Sequence, residues 1–189
     1  CLGPVITLAG GPPDANVIDR GAGQIKLDVD AIGCDMLSAT GRKYLRGPRG
    51  TGFLYVRKSI LEQLQPPFLD LHSAVWKPPE GFEMLPNTRR FENWENYVAG
   101  KLGLGVDVDY ALDIGLDAIE QRVRDLARDL RAQMAIIPGI TIQDLGREKS
   151  GIISFSVGRM HPDQVEMEMA AAGINISTTS VLSTPYDMQ

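Results

Sequence analysis

Cysteine is nearly absent from this 189-residue chain: Cys1 and Cys34 are the whole supply. Two thiols build no disulfide framework, and such usage suits a reducing cytoplasm. Aromatic residues are also scarce, at 6%, and few interleave with the basic residues, which removes the stacking platform of an RNA-binding module. No apolar run approaches the roughly 20 residues that span a bilayer, and no secretory leader pattern is present. Positive charge is in deficit too, with 19 Lys and Arg against 24 Asp and Glu, a net charge of −5. That balance excludes a general nucleic-acid or membrane-surface binder, because those partners select basic faces. What remains is 43% hydrophobic, enough for one or two domains with a real core. The chain starts at Cys1 without a methionine and stops at "STPYDMQ" with no closing element, so it reads as part of a longer protein.

Residues 1–22 are rich in Gly and Pro, with one possible strand around 4–8. From Gln24 the pattern becomes orderly: a turn near Gly33, a buried strand at about 35–39, a break at Thr40-Gly41, then a β-rich run at 53–56. "SILEQLQ" reads as a short helix with Ser59 as N-cap. Residues 66–88 hold five prolines and read as a surface excursion anchored by a few aromatics. Asn93 is the expected cap of a helix through 94–115, whose glycines 100, 103 and 105 imply tight packing. Leu116, Ile119, Val123, Leu126 and Leu130 step by three and four, an amphipathic helix to about Met134 with a solvated charged face. Two strands, "IPGITIQDL" and "GIISFSV", precede a helix opened by Pro162 and stopped by Gly173, with "INIST" as a further strand. His72 and His161 read as structural or surface residues, Trp94 and the methionines of "VEMEMA" as packing, and no metal site is expected. The β-β-α-β tail marks a second α+β unit, giving expected domains 1–115, of which 1–22 are atypical, and 116–189.

The one concentration of positive charge is "SATGRKYLRGPRGTGFLYV", residues 38–56, with four cations beside four glycines. A solvated basic turn is the plainest reading. A nucleotide P-loop fails because no Gly-Lys-Ser/Thr follows the glycines, and a dinucleotide fingerprint fails because "GPRGTG" leads into a strand rather than a helix. A narrower reading fits the order of residues. Lys43 follows a strand end, the Thr40 hydroxyl, the Gly41 hinge and the Arg42 guanidinium. Nearby cations favour a neutral, nucleophilic amine, and the same groups can clamp an anion. An amine beside a phosphate clamp is what pyridoxal phosphate requires.

"LDVDAIGCDMLSATGRKYLRGPRGTGFLYV" resembles the lysine segment of the class V aminotransferase family, which includes cysteine desulfurases and isopenicillin N epimerase-like proteins. The resemblance continues through "RRFENWENYVAGKLGLGVDVDYALDIGLDAIEQRV" to "GINIST", over roughly residues 24–180. It implies an α/β fold-type I transferase, here the C-terminal part of the large mixed-sheet domain plus part of a small α+β domain. It implies pyridoxal 5'-phosphate as cofactor, Lys43 as catalytic Schiff-base lysine, and Thr40, Arg42 and Lys43 as the cofactor-binding set. It further implies an amino acid or amine substrate and a homodimer when full length.

The sequence also departs from that family. Counting back from Lys43, the aspartate expected on the pyridine nitrogen falls near Val17, with Arg20 where a glutamine stands. Asp19 lies two positions late, on the same face of a strand. Asn93-Trp94 replace a Gly-Thr whose threonine reaches the partner subunit's phosphate. Desulfurase-like relatives carry a thiol after the strand matching "GINIST", where "TSVLSTPYDMQ" has none and Leu182 stands near its place; Cys34 reads as core. The expected function is therefore an aminotransferase-, epimerase- or lyase-like enzyme and not a cysteine desulfurase. The alternative is a catalytically incomplete or degenerate fragment with a phosphate-binding or structural role.

Overall fold

The computed structural model describes residues 21–79, 81–144 and 148–179. Two compact units divide it, one ending at Glu120 and one starting at Gln121. The possible strand at 4–8, Asp19 with Val17 and Arg20, and the segment around Leu182 lie outside the described residues.

In the first unit, a single-turn helix α1 (Val29–Ile32) is capped by Asp28, whose carboxylate accepts from the amides of Asp30 and Ala31. It stops at Gly33, in the left-handed region at φ 70°. Strand β1 (Met36–Thr40) then pairs antiparallel with β2 (Gly52–Val56), Met36 opposite Val56 and Thr40 opposite Gly52. Alternation sends β1 into two apolar clusters. Leu37 and Ala39 join Ala22, Cys34 and Leu45. Met36 joins Val56, Ile60, Leu61 and Leu64. Cys34 is fully buried, in keeping with a core residue.

The segment after β2 is a 3-10 helix (Lys58–Gln63), not an α-helix, and Ser59 does not cap it; Arg57 holds the cap position without a side-chain bond. Six residues followed by Pro66-Pro67 are too few to repay α-helix nucleation, and the tighter helix still buries Ile60 and Leu61. Residues 66–88 are more ordered than their prolines suggested. They contain a hairpin, β3 (Ala74–Lys77) with β4 (Gly81–Met84), Trp76 directly opposite Phe82 and Lys77 bridging Glu83 at 3.1 Å. Its aromatics are not anchors, for Trp76 and Phe82 are both exposed.

Helix α2 (Val98–Ile114) begins after Tyr97 rather than at Asn93. The Asp70 carboxylate takes the Trp94 amide at 2.6 Å, and the Asn96 side chain donates to the Asn93 carbonyl at 2.6 Å. Residues 93–96 are thereby committed to a loop. Upstream, Asn87 caps a 3-10 turn (Thr88–Phe91). Within it Arg90 is buried, donating to the carbonyls of Leu85, Leu61 and Leu64 at 2.8, 3.0 and 3.3 Å.

Helix α3 (Leu116–Ala135) follows the three-four periodicity, with Asp117 in its first turn. In the second unit β5 (Ile140–Ile142) pairs with β6 (Phe155–Val157). Helix α4 (Pro162–Ala171) opens on Pro162 behind a His161 cap, and Gly173 sits at φ 76°. Residues 174–178 form no strand: they have no ladder partner among the described residues, and an unpaired run cannot make strand hydrogen bonds. An ion pair between Arg131 and Asp144, at 2.5 Å and with both side chains largely buried, ties α3 to the loop after β5. Arg131 also donates to the Ser150 and Ile152 carbonyls at 2.8 Å each. No described helix is long and apolar enough to cross a membrane.

Arg90→Leu removes the guanidinium donor shared by three carbonyls and is expected to cost about 2–5 kcal/mol. Arg89→Ala, an exposed neighbour, is expected within about 0.5 kcal/mol of the parent. Urea midpoints of the two variants in the full-length protein measure the contrast.

Candidate active site

Thr40 ends β1, and Arg42 and Lys43 occupy the turn that follows. The three residues proposed from sequence therefore share one turn. Thr40 is half-buried, and Arg42 and Lys43 are exposed.

The turn is built from backbone bonds rather than side-chain contacts. The Gly41 amide donates to Thr51 O at 2.9 Å, extending the β1–β2 ladder by one step. Gly47 N donates to Gly41 O and Arg46 N to Lys43 O, both at 2.9 Å. Two glycines permit this closure. A Cβ on Gly41 would fall 2.5 Å from Thr51 Oγ1 and 2.9 Å from a Leu104 methyl. Gly23, at φ 87°, lets its backbone pass beneath the turn, and a Cβ there would lie 2.6 Å from Leu45 N and 2.7 Å from Tyr44 C. Helix α2 covers the other limb. Leu104 reaches Gly41 and Gly47, Gly103 faces Pro48, and Gly100 faces Thr51. Gly105 meets nothing, so the tight packing inferred from α2's glycines holds for two of the three.

Arg46 holds the turn at a conformational cost. Its φ of 66° places a side-chain-bearing residue in the left-handed region, and it is the one such residue among those described. That costs about 1–2 kcal/mol. Its guanidinium lies over the Tyr110 ring of α2, 4.8 Å from the centroid, a contact of about 0.5–2 kcal/mol that offsets the strain.

Arg42 and Lys43 have no carboxylate partner among the described residues. Arg57, by contrast, bridges Asp30 at 2.8 Å and Asp35 at 3.2 Å, and donates to Cys34 O at 2.9 Å. Its hydrogen bond to the Asp30 carboxylate holds its basicity above the usual range. Two uncommitted cations next to a hydroxyl, on a turn closed by glycines, fit a phosphorylated aldehyde. Arg42 and Thr40 can hold the phosphate, and Lys43 is free to take the carbonyl carbon.

The loop before α2 forms a second polar cluster. The Trp94 amide on Asp70 is the main cause of that carboxyl's lowered pKa, and the His72 and Ser73 amides add to it against a burial penalty. His72 Nε2 lies 3.2 Å from Glu92 Oε2, with Lys101 Nζ at 3.5 Å. Burial pushes the Glu92 carboxyl up, but its bonds to His72 and Lys101 leave it below its ordinary value. His72 packs edge-on against the exposed Trp94. Asp70 was legible as an Asx turn in "DLHS". The parts played by Gly23, Arg46 and Tyr110 had no such mark.

Comparison with known proteins adds a family. The model of the family Aminotransferase class-V matches residues 18–187. A probable cysteine desulfurase from Halalkalibacterium halodurans is 32% identical over 165 residues, covering 83% of this chain and 38% of the relative. A cysteine desulfurase from Enterobacter sp. (strain 638) is 34% identical over 154 residues, 80% of this chain and 37% of the relative. Among solved structures, a cysteine desulfurase from Thermococcus onnurineus NA1 superposes with a TM-score of 0.74 at 23% identity, covering 90% of this chain and 44% of that one. A variant of C-DES with glycine linked to its PLP cofactor superposes at 0.75 and 20% identity, covering 85% and 42%. The chain thus spans about two-fifths of the length of these relatives.

These likenesses overturn the exclusion of cysteine desulfurase. That exclusion rested on a missing thiol in residues 179–189, all but the first of which lie outside the described residues, while the curated relatives carry the desulfurase name.

Gly23→Ala is expected to force the Tyr44–Leu45 backbone away and to cost about 1–3 kcal/mol, with weaker pyridoxal phosphate binding read by fluorescence titration. Asp70 supports the fold as a carboxylate with a depressed pKa. Its contribution is complete above the ordinary value of 3.8 and is lost as pH falls through the lower folded value. Asp70→Asn should therefore flatten the loss of stability below about pH 4, measured as urea midpoints across the acid range.

Proposed function

The chain belongs to the aminotransferase class-V family and carries part of the fold-type I transferase fold, and from that premise we propose that it forms the lysine-bearing portion of a cysteine desulfurase. The observation that carries the proposal is the closed turn after β1, which offers Lys43 and Arg42 without carboxylate partners. The names of the curated relatives support cysteine as the substrate.

The family's cofactor is pyridoxal 5'-phosphate, which when bound supplies an electron sink for bond breaking next to an amino acid's α-carbon. Within this chain, the Lys43 amine would be the cofactor's covalent attachment point and the base that moves the proton at the substrate's α-carbon. Arg42 and Thr40 hold the phosphate through charge-assisted and hydroxyl hydrogen bonds. Gly41 and Gly47 allow the backbone to fold around that anion. Leu37 and Ala39, fixed in the core, keep the strand end from moving as the amine changes partner.

The proposal extends to a homodimer in a reducing compartment. Exposed Val98, Leu102 and Val106 on α2 supply apolar surface of the kind that subunits or further domains bury, and the scarcity of cysteine supports the compartment.

Full-length protein given cysteine is expected to release alanine, with sulfide appearing under a thiol reductant. Lys43→Ala should reduce that turnover by about 10²–10⁴-fold, and borohydride should fix the cofactor to Lys43. Arg42→Ala should weaken cofactor binding about tenfold or more, while Arg57→Ala lowers stability with little change in affinity. Wild-type turnover in Lys43→Ala, or a cofactor fixed to another lysine, would refute the assignment.

A further inference from the structure

We propose that Tyr110 is a positioning residue for Lys43 and acts through Arg46. The inference rests on the reading of Lys43 as the cofactor-bearing lysine and adds how that lysine is held.

Two hydrogen bonds close the turn around Lys43, and the outer one runs from the Gly47 amide to the Gly41 carbonyl at 2.9 Å. The Gly47 amide lies one peptide past Arg46, so it points there only while Arg46 keeps φ at 66°. Glycine would adopt that conformation freely, whereas arginine resists it and has no short polar side chain to stabilise it locally. Something outside the turn must hold Arg46. The guanidinium over the Tyr110 ring is the one described contact of its side chain. A planar guanidinium stacked on an aromatic face is a directional contact, so it constrains the side chain and, through Cα, the backbone.

Leu104 also touches this turn, at Gly41 and Gly47. That contact is apolar and does not choose between left- and right-handed backbone at Arg46. Nor is Tyr110 chiefly a core residue, since 53% of its surface is exposed. The chain of action is therefore short: ring, guanidinium, left-handed backbone, Gly47 amide, Gly41 carbonyl at the base of the Lys43 turn. Without the ring, Arg46 relaxes toward negative φ, the Gly47 amide turns away from Gly41, and the Lys43 turn samples more orientations.

The test uses the full-length protein, with two readouts. The first is hydrogen exchange of the peptide covering residues 41–47 in the cofactor-free protein. The second is the rate at which added pyridoxal phosphate becomes fixable to Lys43 by borohydride. Tyr110→Leu should speed exchange and slow fixation by about three- to thirty-fold, the range that a cation–π contact commands. Tyr110→Phe, which keeps the ring face, should restore both. In an Arg46→Gly background the left-handed conformation is free, so adding Tyr110→Leu should change neither. Should Tyr110→Leu fail to fold, Arg46→Ala, which keeps the backbone strain and removes the stacked group, reads the same coupling and should behave as expected for Tyr110→Leu. Unchanged exchange and fixation in Tyr110→Leu would overturn the proposal, as would Tyr110→Phe behaving like Tyr110→Leu, or Arg46→Gly failing to suppress the effect. A cofactor fixed to another lysine in the parent protein would instead refute the reading of Lys43, while altered exchange in the same variants would still report the contact between ring and turn.

Discussion

Burial of β1 on both faces is the constraint on which the rest of the first unit depends. Leu37 and Ala39 enter one apolar cluster and Met36 the other. A slip of one residue would carry Ser38 and Thr40 into the first cluster in place of Leu37 and Ala39. Register is therefore fixed, and with it the point at which the strand ends. The bond from Gly41 N to Thr51 O carries that order one step past the strand, so the turn bearing Arg42 and Lys43 starts from a defined origin. Packing that looks unrelated to chemistry thus sets where the reactive amine can be.

Elements whose pattern is local were legible in the sequence. The β-rich "GFLYV", the three-four spacing of α3, and the Pro162 start and Gly173 stop of α4 all appear where the residues indicated. The failures have a common cause in distant partners. Helix α2 starts late because an aspartate 24 residues upstream in the chain takes the Trp94 amide. The hairpin β3–β4 forms because Trp76 and Phe82 meet across the ladder, which a proline count does not reveal. The candidate site divides in the same way. Thr40, Arg42 and Lys43 stand together in one motif, whereas Gly23 and Tyr110 join the turn from positions about 20 and 67 residues away by contacts of backbone and ring.

The desulfurase question has a physical lesson of its own. A lysine that holds a cofactor and a thiol that carries sulfur do different chemistry and need not share a strand, a loop or a unit. The lysine turn speaks to the cofactor. It says nothing about a sulfur carrier, so the lack of a thiol near "GINIST" was a weak ground for choosing a branch.

Arg90 has one more consequence. Its charge is balanced by the carbonyl oxygens of Leu61, Leu64 and Leu85 rather than by an acid. Carbonyls do not titrate, so acid leaves this junction its full set of acceptors. The support given by the Asp70 carboxylate, under the Trp94 amide, is one that protons remove. Acid should therefore dismantle the first unit in order, freeing the loop before α2 while the 3-10 segments around Arg90 still hold. A partly acidified population would keep the β1–β2 core and lose the cover over it.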